Sequence, residues 1–142
     1  MKPEKIKIGD KDVPIRIDYD VIEAIEEEFD TLEKFQMKML GFEWKRNHDG
    51  TYDYDDEGKP KAVVTKPSTK ALKFILPLMV NEGLRYEALK NNAAYEPMDD
   101  DLIIMECEID RTYLIEIIQK EINRCQKVKK PTPGENGKNR RQ

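Results

Sequence analysis

The chain has 142 residues, of which 38% are apolar and 38% are charged, and its formal net charge is −4. This length suits one domain with a thin core, and the acidic balance argues against a nucleic-acid-binding domain, which would carry a basic face. No apolar run approaches the roughly 20 residues of a membrane span, and the opening MKPEKIKIGD lacks the apolar stretch of a signal peptide. The sequence therefore predicts a soluble protein inside the cell.

The first residues alternate between apolar and polar side chains, which is typical of β-structure. Residues 5–8 form the first alternating run, and residues 9–12 supply a turn. Val13, Ile15 and Ile17 then alternate with polar residues and a proline. The pattern predicts a β-hairpin with one apolar face, whose second strand continues to Ile17.

Two short helices are predicted to follow the hairpin. Asp20 and Glu23 form a capping-box pattern at the start of the first helix. Thr31 is predicted to cap the second helix, Leu32–Leu40, which Gly41 ends. The residues expected to face the core follow helical spacing: Ile22, Ile25, Phe29, Leu32, Phe35 and Met39.

Residues 42–66 differ in character, because aromatic residues alternate with charged ones between two turns. The pattern predicts a two- or three-stranded β-meander inserted between helices. Residues 53–58 partly match a calcium loop, but the twelfth position is Val64, which offers no ligand, so a hairpin turn is preferred over a metal site. The single histidine, His48, lies in a turn with no nucleophile beside it, so no catalytic role is predicted for it.

The most apolar stretch, Thr69–Tyr86, predicts a central helix capped by Ser68. Residues 81–83 (Asn-Glu-Gly) are predicted to loosen its last turn, and residues 86–94 to continue as a ragged helical piece. Such an apolar helix is normally enclosed by other elements. Proline within it, at Pro77, removes one backbone hydrogen bond.

The last third of the chain predicts a short helix after residues 99–101, which are all aspartates, and a longer one from Asp110 to about Val128. A single helix over residues 100–128 is the alternative. The longer helix is expected to pack on the central helix through one apolar stripe: Leu114, Ile117, Ile118, Ile122 and Cys125. Cys107 and Cys125 are predicted to be free thiols.

These elements predict a mainly α (α+β) fold: one helical domain over residues 1–128, with an N-terminal β-hairpin and the β-insertion, and a disordered basic tail over residues 129–142. Residues 127–142 carry six lysines and arginines against one glutamate. The tail's cations are candidate partner contacts: Lys127, Lys129, Lys130, Arg140 and Arg141. No catalytic, metal or cofactor signature is present, so the sequence predicts a binding protein and no enzyme.

Three blocks resemble the tail assembly chaperones of long-tailed bacteriophages and prophages. IKIGDKDVPIRIDYDVIEAIEEEF followed by TLEKF resembles their opening hairpin and helices, FILPLMVNEGLRYEA their central helix, and IDRTYLIEIIQKEI their final helix. The resemblance implies a non-enzymatic protein of the host cytoplasm that coats the tape-measure protein and recruits tail-tube subunits. It also implies absence from the mature virion and, in many members, a longer form made by ribosomal frameshifting.

Two other classes remain open from the residues alone. One is a different phage-encoded adaptor or host-interaction protein with no role in the tail. The other is a small enzyme or metal protein that uses the loop at residues 53–57. No nucleic acid or membrane is expected as a partner, and self-association into a homo-oligomer is left open.

Overall fold

The computed structural model describes residues 4–129, with side chains up to Lys127. This part of the chain is mainly helical with two small antiparallel sheets, which confirms the predicted fold class. Its elements in chain order are β1 (Lys5–Ile8), β2 (Lys11–Pro14), α1 (Tyr19–Phe29), α2 (Leu32–Leu40), β3 (Phe42–Trp44), β4 (Ala62–Val64), α3 (Thr69–Lys90), α4 (Asp100–Glu106) and α5 (Arg111–Lys129).

The N-terminal hairpin is shorter than the sequence pattern predicts. β1 and β2 pair antiparallel with Lys5 opposite Pro14, and β2 ends there. Residues 15–18 form a connecting segment in which two isoleucines are almost completely buried. The prediction that the second strand reaches Ile17 was wrong. The Ile15 N–H still donates to the Glu4 carbonyl beside β1, but the backbone of residues 16 and 17 bonds to helices.

The predicted capping box of α1 was also wrong. The helix begins at Tyr19, after Asp18, whose side chain makes no capping hydrogen bond. Asp20 lies in the first turn, where its carboxylate bonds Arg85 of α3. The sequence pattern of a capping box is therefore present without the capping hydrogen bond, because the Asp20 carboxylate bonds Arg85 of α3 instead.

The start and end of α2 agree with the prediction. The Thr31 hydroxyl accepts a hydrogen bond from the Lys34 N–H at 3.0 Å. Gly41 ends the helix at φ +89°, a left-handed conformation that favours glycine. Residues Phe35 and Met39 are fully buried, as their spacing indicated.

The β-insertion predicted for residues 42–66 is present as two strands. β3 and β4 pair antiparallel, with Glu43 opposite Val63. The residues between them contribute two isolated bridges, Arg46–Tyr52 and Tyr54–Pro60, rather than a third strand. We call residues 42–64 the β-arm.

The central helix α3 is longer than predicted. Ser68 caps it, with its hydroxyl accepting from the Ala71 N–H at 3.1 Å. The prediction that residues 81–83 loosen the helix was wrong, since α3 continues unbroken to Lys90. Asn81 makes two hydrogen bonds with the backbone of Met98, so its side chain holds the segment after α3 and does not compete for the helix backbone.

The last two helices are separate, so the alternative of one helix over residues 100–128 was wrong. α4 ends where its last turn meets the first hairpin: the Gly9 N–H donates to the Glu106 carbonyl at 2.9 Å, and Cys107 forms an isolated bridge with Ile8. Asp110 then caps α5 by accepting from the Tyr113 N–H. α5 is described as far as Lys129, the last residue that the structure describes.

The apolar stripe of α5 is buried as predicted, and α5 packs against α2 as well as lying beside α3. The start of α5 is tied to the start of α3, where Arg111 donates to the Thr69 hydroxyl at 2.6 Å. Further along, the connecting segment bonds both helices.

None of the described helices has the length and apolar character needed to cross a membrane.

Candidate protein-binding groove

The connecting segment is held to α5 by buried polar contacts. The side chain of Glu121, which is only 4% exposed, accepts the Ile17 N–H at 3.2 Å. Arg124 donates to the Ile17 carbonyl at 2.7 Å and to both carboxylate oxygens of Glu121 at 3.2 Å. Both backbone groups of Ile17 are thereby satisfied, which a buried segment outside a sheet requires.

The opposite side of the connecting segment lies against α3. The Arg16 N–H donates to the Met79 carbonyl at 2.9 Å. At Gly83 a β-carbon would stand 2.5 Å from the carbonyl carbon of Pro14 and 2.8 Å from the Cα of Ile15. Glycine is therefore required there by the close approach of the two backbones.

Beyond the connecting segment, α3 and α5 are separated by an open groove of about 1280 Å³. Its floor is formed by Pro14, Ile15 and the ring of Tyr86, over which the guanidinium of Arg16 stacks at 3.8 Å. The backbone next to this floor is held on both sides, by the bond from the Arg16 N–H to α3 and by the bond from Arg124 of α5 to the Ile17 carbonyl. The groove is thus a preformed cleft between two helices, a common location for ligand and partner sites.

Charges of both signs line the groove. Glu87 and Lys90 lie on the α3 side, and Glu116 and Lys127 on the α5 side. None of the four has an ion pair within the described residues, whereas most other charges near the groove are paired. Two acidic and two basic groups are therefore available to a partner that enters the groove.

Only one of the predicted partner contacts can be placed with its side chain. Lys127 is exposed on α5 and lines the groove. Lys129 is helical and is the last residue described, and nothing of its side chain is described. Lys130, Arg140 and Arg141 lie outside the described residues, as does most of the predicted tail.

A second cluster of charged groups lies beside α1. Carboxylate oxygens of Asp18, Asp20 and Glu82 approach within 4.8 Å of one another. Arg85 donates to both oxygens of Glu82, at 2.9 and 2.6 Å, and to Asp20 at 3.1 Å. The guanidinium supplies the positive charge that a metal ion would otherwise bring, so the cluster forms a salt-bridge network between α1 and α3.

The pKa values of Glu82 and Asp18, two carboxyls of this cluster, are shifted in opposite directions. Burial raises the pKa of Glu82, and the neighbouring Asp18 adds to this rise against the opposing effect of Arg85. Burial also acts to raise the pKa of Asp18, but the interactions of its carboxylate with the Glu82 carboxyl, the nearby Val21 N–H and the guanidinium groups of Arg16 and Arg85 outweigh it and lower that pKa. Sequence reasoning missed Glu82, although an acidic residue within the most apolar stretch is a signal for a buried ion pair.

We expect the raised pKa of Glu82 to make stability fall as pH rises. Above pH 4.5, the ordinary pKa of the group, the unfolded chain releases this proton while the folded chain retains it. The advantage of the native protein over Glu82→Gln in the free energy of unfolding should therefore shrink as the pH rises above 4.5, as measured by urea denaturation. A difference in the free energy of unfolding between the two proteins that is constant or grows with pH would contradict the raised pKa of Glu82.

The turns of the β-arm, all of them described, contain no comparable cluster of three acidic groups. His48 is exposed in the first turn. Asp53 lies 3.5 and 3.7 Å from the ammonium groups of Lys45 and Lys61, and Asp55 accepts backbone N–H groups within its own turn. These carboxylates stabilise the turns, as the preferred hairpin interpretation predicted.

No family model, curated protein or solved structure matches this chain. What the chain does is therefore inferred from its own fold and surfaces and from the sequence resemblance described above.

Proposed function

We propose that this chain is a non-enzymatic phage tail assembly chaperone that holds a helix of the tape-measure protein in the groove between α3 and α5. The observation that carries the proposal is the groove itself, a preformed cleft with a floor of apolar and aromatic groups. In this role the chain keeps an elongated partner soluble and brings it to the tail-tube subunits.

The dimensions of the groove support a helical occupant. Its α5 side extends from Glu116 to Lys127, which is about 16 Å at 1.5 Å per residue. That length accommodates about three turns of a partner helix. An amphipathic helix that lays its apolar face into a groove between helices is a recurring mode of recognition.

The rim charges also support such a partner. A long solvated helix carries acidic and basic residues on its polar flanks, often at i and i+4 spacing. The unpaired Glu87, Lys90, Glu116 and Lys127 offer both signs to these flanks. Charged groups at a rim contribute mainly to orientation and association rate, while the Tyr86 ring and the aliphatic stems of the lining side chains offer apolar area to a partner.

Co-expression with a candidate tape-measure protein from the same genome tests the proposal. The native chain should keep that protein soluble and co-purify with it. Asn123→Trp, which fills the groove from α5, should reduce the bound fraction about tenfold, because steric exclusion removes the buried contacts. Thr112→Trp is the control, since Thr112 is exposed on α5 and does not line the groove.

An insoluble, unbound partner in the presence of the native chain would reject the chaperone function. Equal binding by the native chain and Asn123→Trp would keep the function and reject the groove as its site. A bound partner with no helical content would likewise contradict the proposed mode of recognition.

A further inference from the structure

The β-arm has a three-way junction at its centre. The Lys45 N–H donates to the Lys61 carbonyl, the Lys61 N–H to the Asp53 carbonyl, and the Asp53 N–H to the Lys45 carbonyl, at 2.8–3.0 Å. The carboxylate of Asp53 also lies near both lysine ammonium groups. This closed cycle joins the β3–β4 ladder to two smaller hairpins and fixes the orientation of β4.

The hydrogen-bond pattern shows which groups of β4 face outward. The ladder is bounded by bonds from the Lys45 N–H to the Lys61 carbonyl and from the Thr65 N–H to the Gly41 carbonyl. Bonded and non-bonded pairs alternate along an antiparallel ladder. The odd-numbered residues of β4 therefore bond β3, and the even-numbered residues direct their N–H and C=O groups away from it.

This outer edge is apolar and open. Its even-numbered residues are Ala62 and Val64, and Val64 is 88% exposed. No hydrogen bond to the backbone of either residue is found outside the ladder in the described part of the chain. On the same face, the rings of Phe42 and Trp44 pack edge to face with centroids 5.3 Å apart. An uncovered apolar edge of this kind is a template for pairing with another strand.

The charge around the edge indicates which strand would pair with it. Residues 59–66, KPKAVVTK, contain three lysines and no acidic residue. Lys61 is near Asp53, but Lys59 and Lys66 have no ion pair within the described residues. Pairing between two copies of β4 would bring six lysines together, and like charges across strands are destabilising.

We infer that the outer edge of β4 is a second binding surface, which accepts an extended, acidic segment of a partner protein as an added antiparallel strand. Backbone hydrogen bonds to residues 62 and 64 would supply the affinity. Alternate apolar side chains would extend the face of Phe42, Trp44 and Val64, and acidic residues would meet Lys59 and Lys66. This inference does not depend on the α3–α5 groove, which is built from other elements.

A capped nine-residue peptide tests the inference: a core of alternating valine and threonine with two glutamates at each end. Added to the full chain, it should protect the amides of Ala62 and Val64 from hydrogen exchange, as followed by NMR. The double variant Lys59→Glu/Lys66→Glu should bind it at least tenfold more weakly. Lys5→Glu/Lys11→Glu is the matched control, because it makes the same change of charge on exposed strand residues of the other hairpin.

Protection of both amides with the expected charge dependence would support the inference. Three results would overturn it. The first is equal binding of a peptide with lysines in place of the glutamates, and the second is absence of binding. The third is protection that depends on protein concentration without peptide, which would show pairing between copies of this chain.

Discussion

Replacing Gly83 with alanine is expected to lower the free energy of unfolding by about 3 kcal/mol or more. In an open helix this substitution normally stabilises by up to about 1 kcal/mol, because alanine has the higher helix propensity. Here the added methyl group would overlap the carbonyl carbon of Pro14 and the Cα of Ile15. Backbone atoms cannot rotate away as a flexible side chain does, so α3 and the connecting segment must separate.

Urea denaturation of Gly83→Ala measures this effect. Gly50→Ala is the control: no atom lies within 4 Å of its added methyl group, and only the φ of +90° opposes alanine, at a cost of about 1–2 kcal/mol. A Gly83→Ala protein as stable as the native one would show that the connecting segment does not lie against α3.

Replacing Arg124 with alanine is expected to cost about 3–5 kcal/mol, the usual result of removing one partner from a buried ion pair. The side chain of Glu121 is 6% exposed and would lose the guanidinium group that pairs with it. The carbonyl of Ile17 would also lose its donor. Both losses act on the segment that forms the floor of the groove.

A second variant separates the charge from the packing. Arg124→Ala/Glu121→Gln should recover part of the lost stability, since the neutral amide can still accept the Ile17 N–H. Arg111→Ala, at an exposed position of the same helix, should cost no more than about 1 kcal/mol. If the double variant were less stable than Arg124→Ala alone, the unpaired charge would not be the cause.

The helices of this fold were predictable from the sequence because their signals are local. Thr31, Ser68 and Asp110 each bond a backbone N–H three residues ahead, so a short pattern contains the whole interaction. The apolar spacing of α1, α2 and α5 likewise indicated the buried faces before any neighbour was known.

The connecting segment could not be predicted in the same way. Its alternating isoleucines have the pattern of a strand, because any extended chain that buries one of its two faces shows the same alternation. The groups that distinguish the two cases, Glu121 and Arg124, lie more than 100 positions away. The partner of Asp20 could not be predicted for the same reason, since Arg85 is 65 positions further along the chain.

The candidate binding surfaces were only partly accessible to sequence reasoning. Charge counting selected Lys127, which lines the groove, but the groove itself depends on how far α3 and α5 separate. The edge of β4 required the strand register, which fixes the outward direction of the backbone at Val64. The exposed valines were visible as a short apolar run, and the lysines around them as a basic one.

The most direct test of the proposed groove is crosslinking in the co-expressed complex. With the photoreactive residue p-benzoylphenylalanine in place of Lys90 on the groove rim, we expect crosslinks to a helical segment of the tape-measure partner. The same substitution at Lys11, exposed on the N-terminal hairpin and outside the groove, should give none. Crosslinks from Lys11 with none from Lys90 would contradict binding of the partner in the groove.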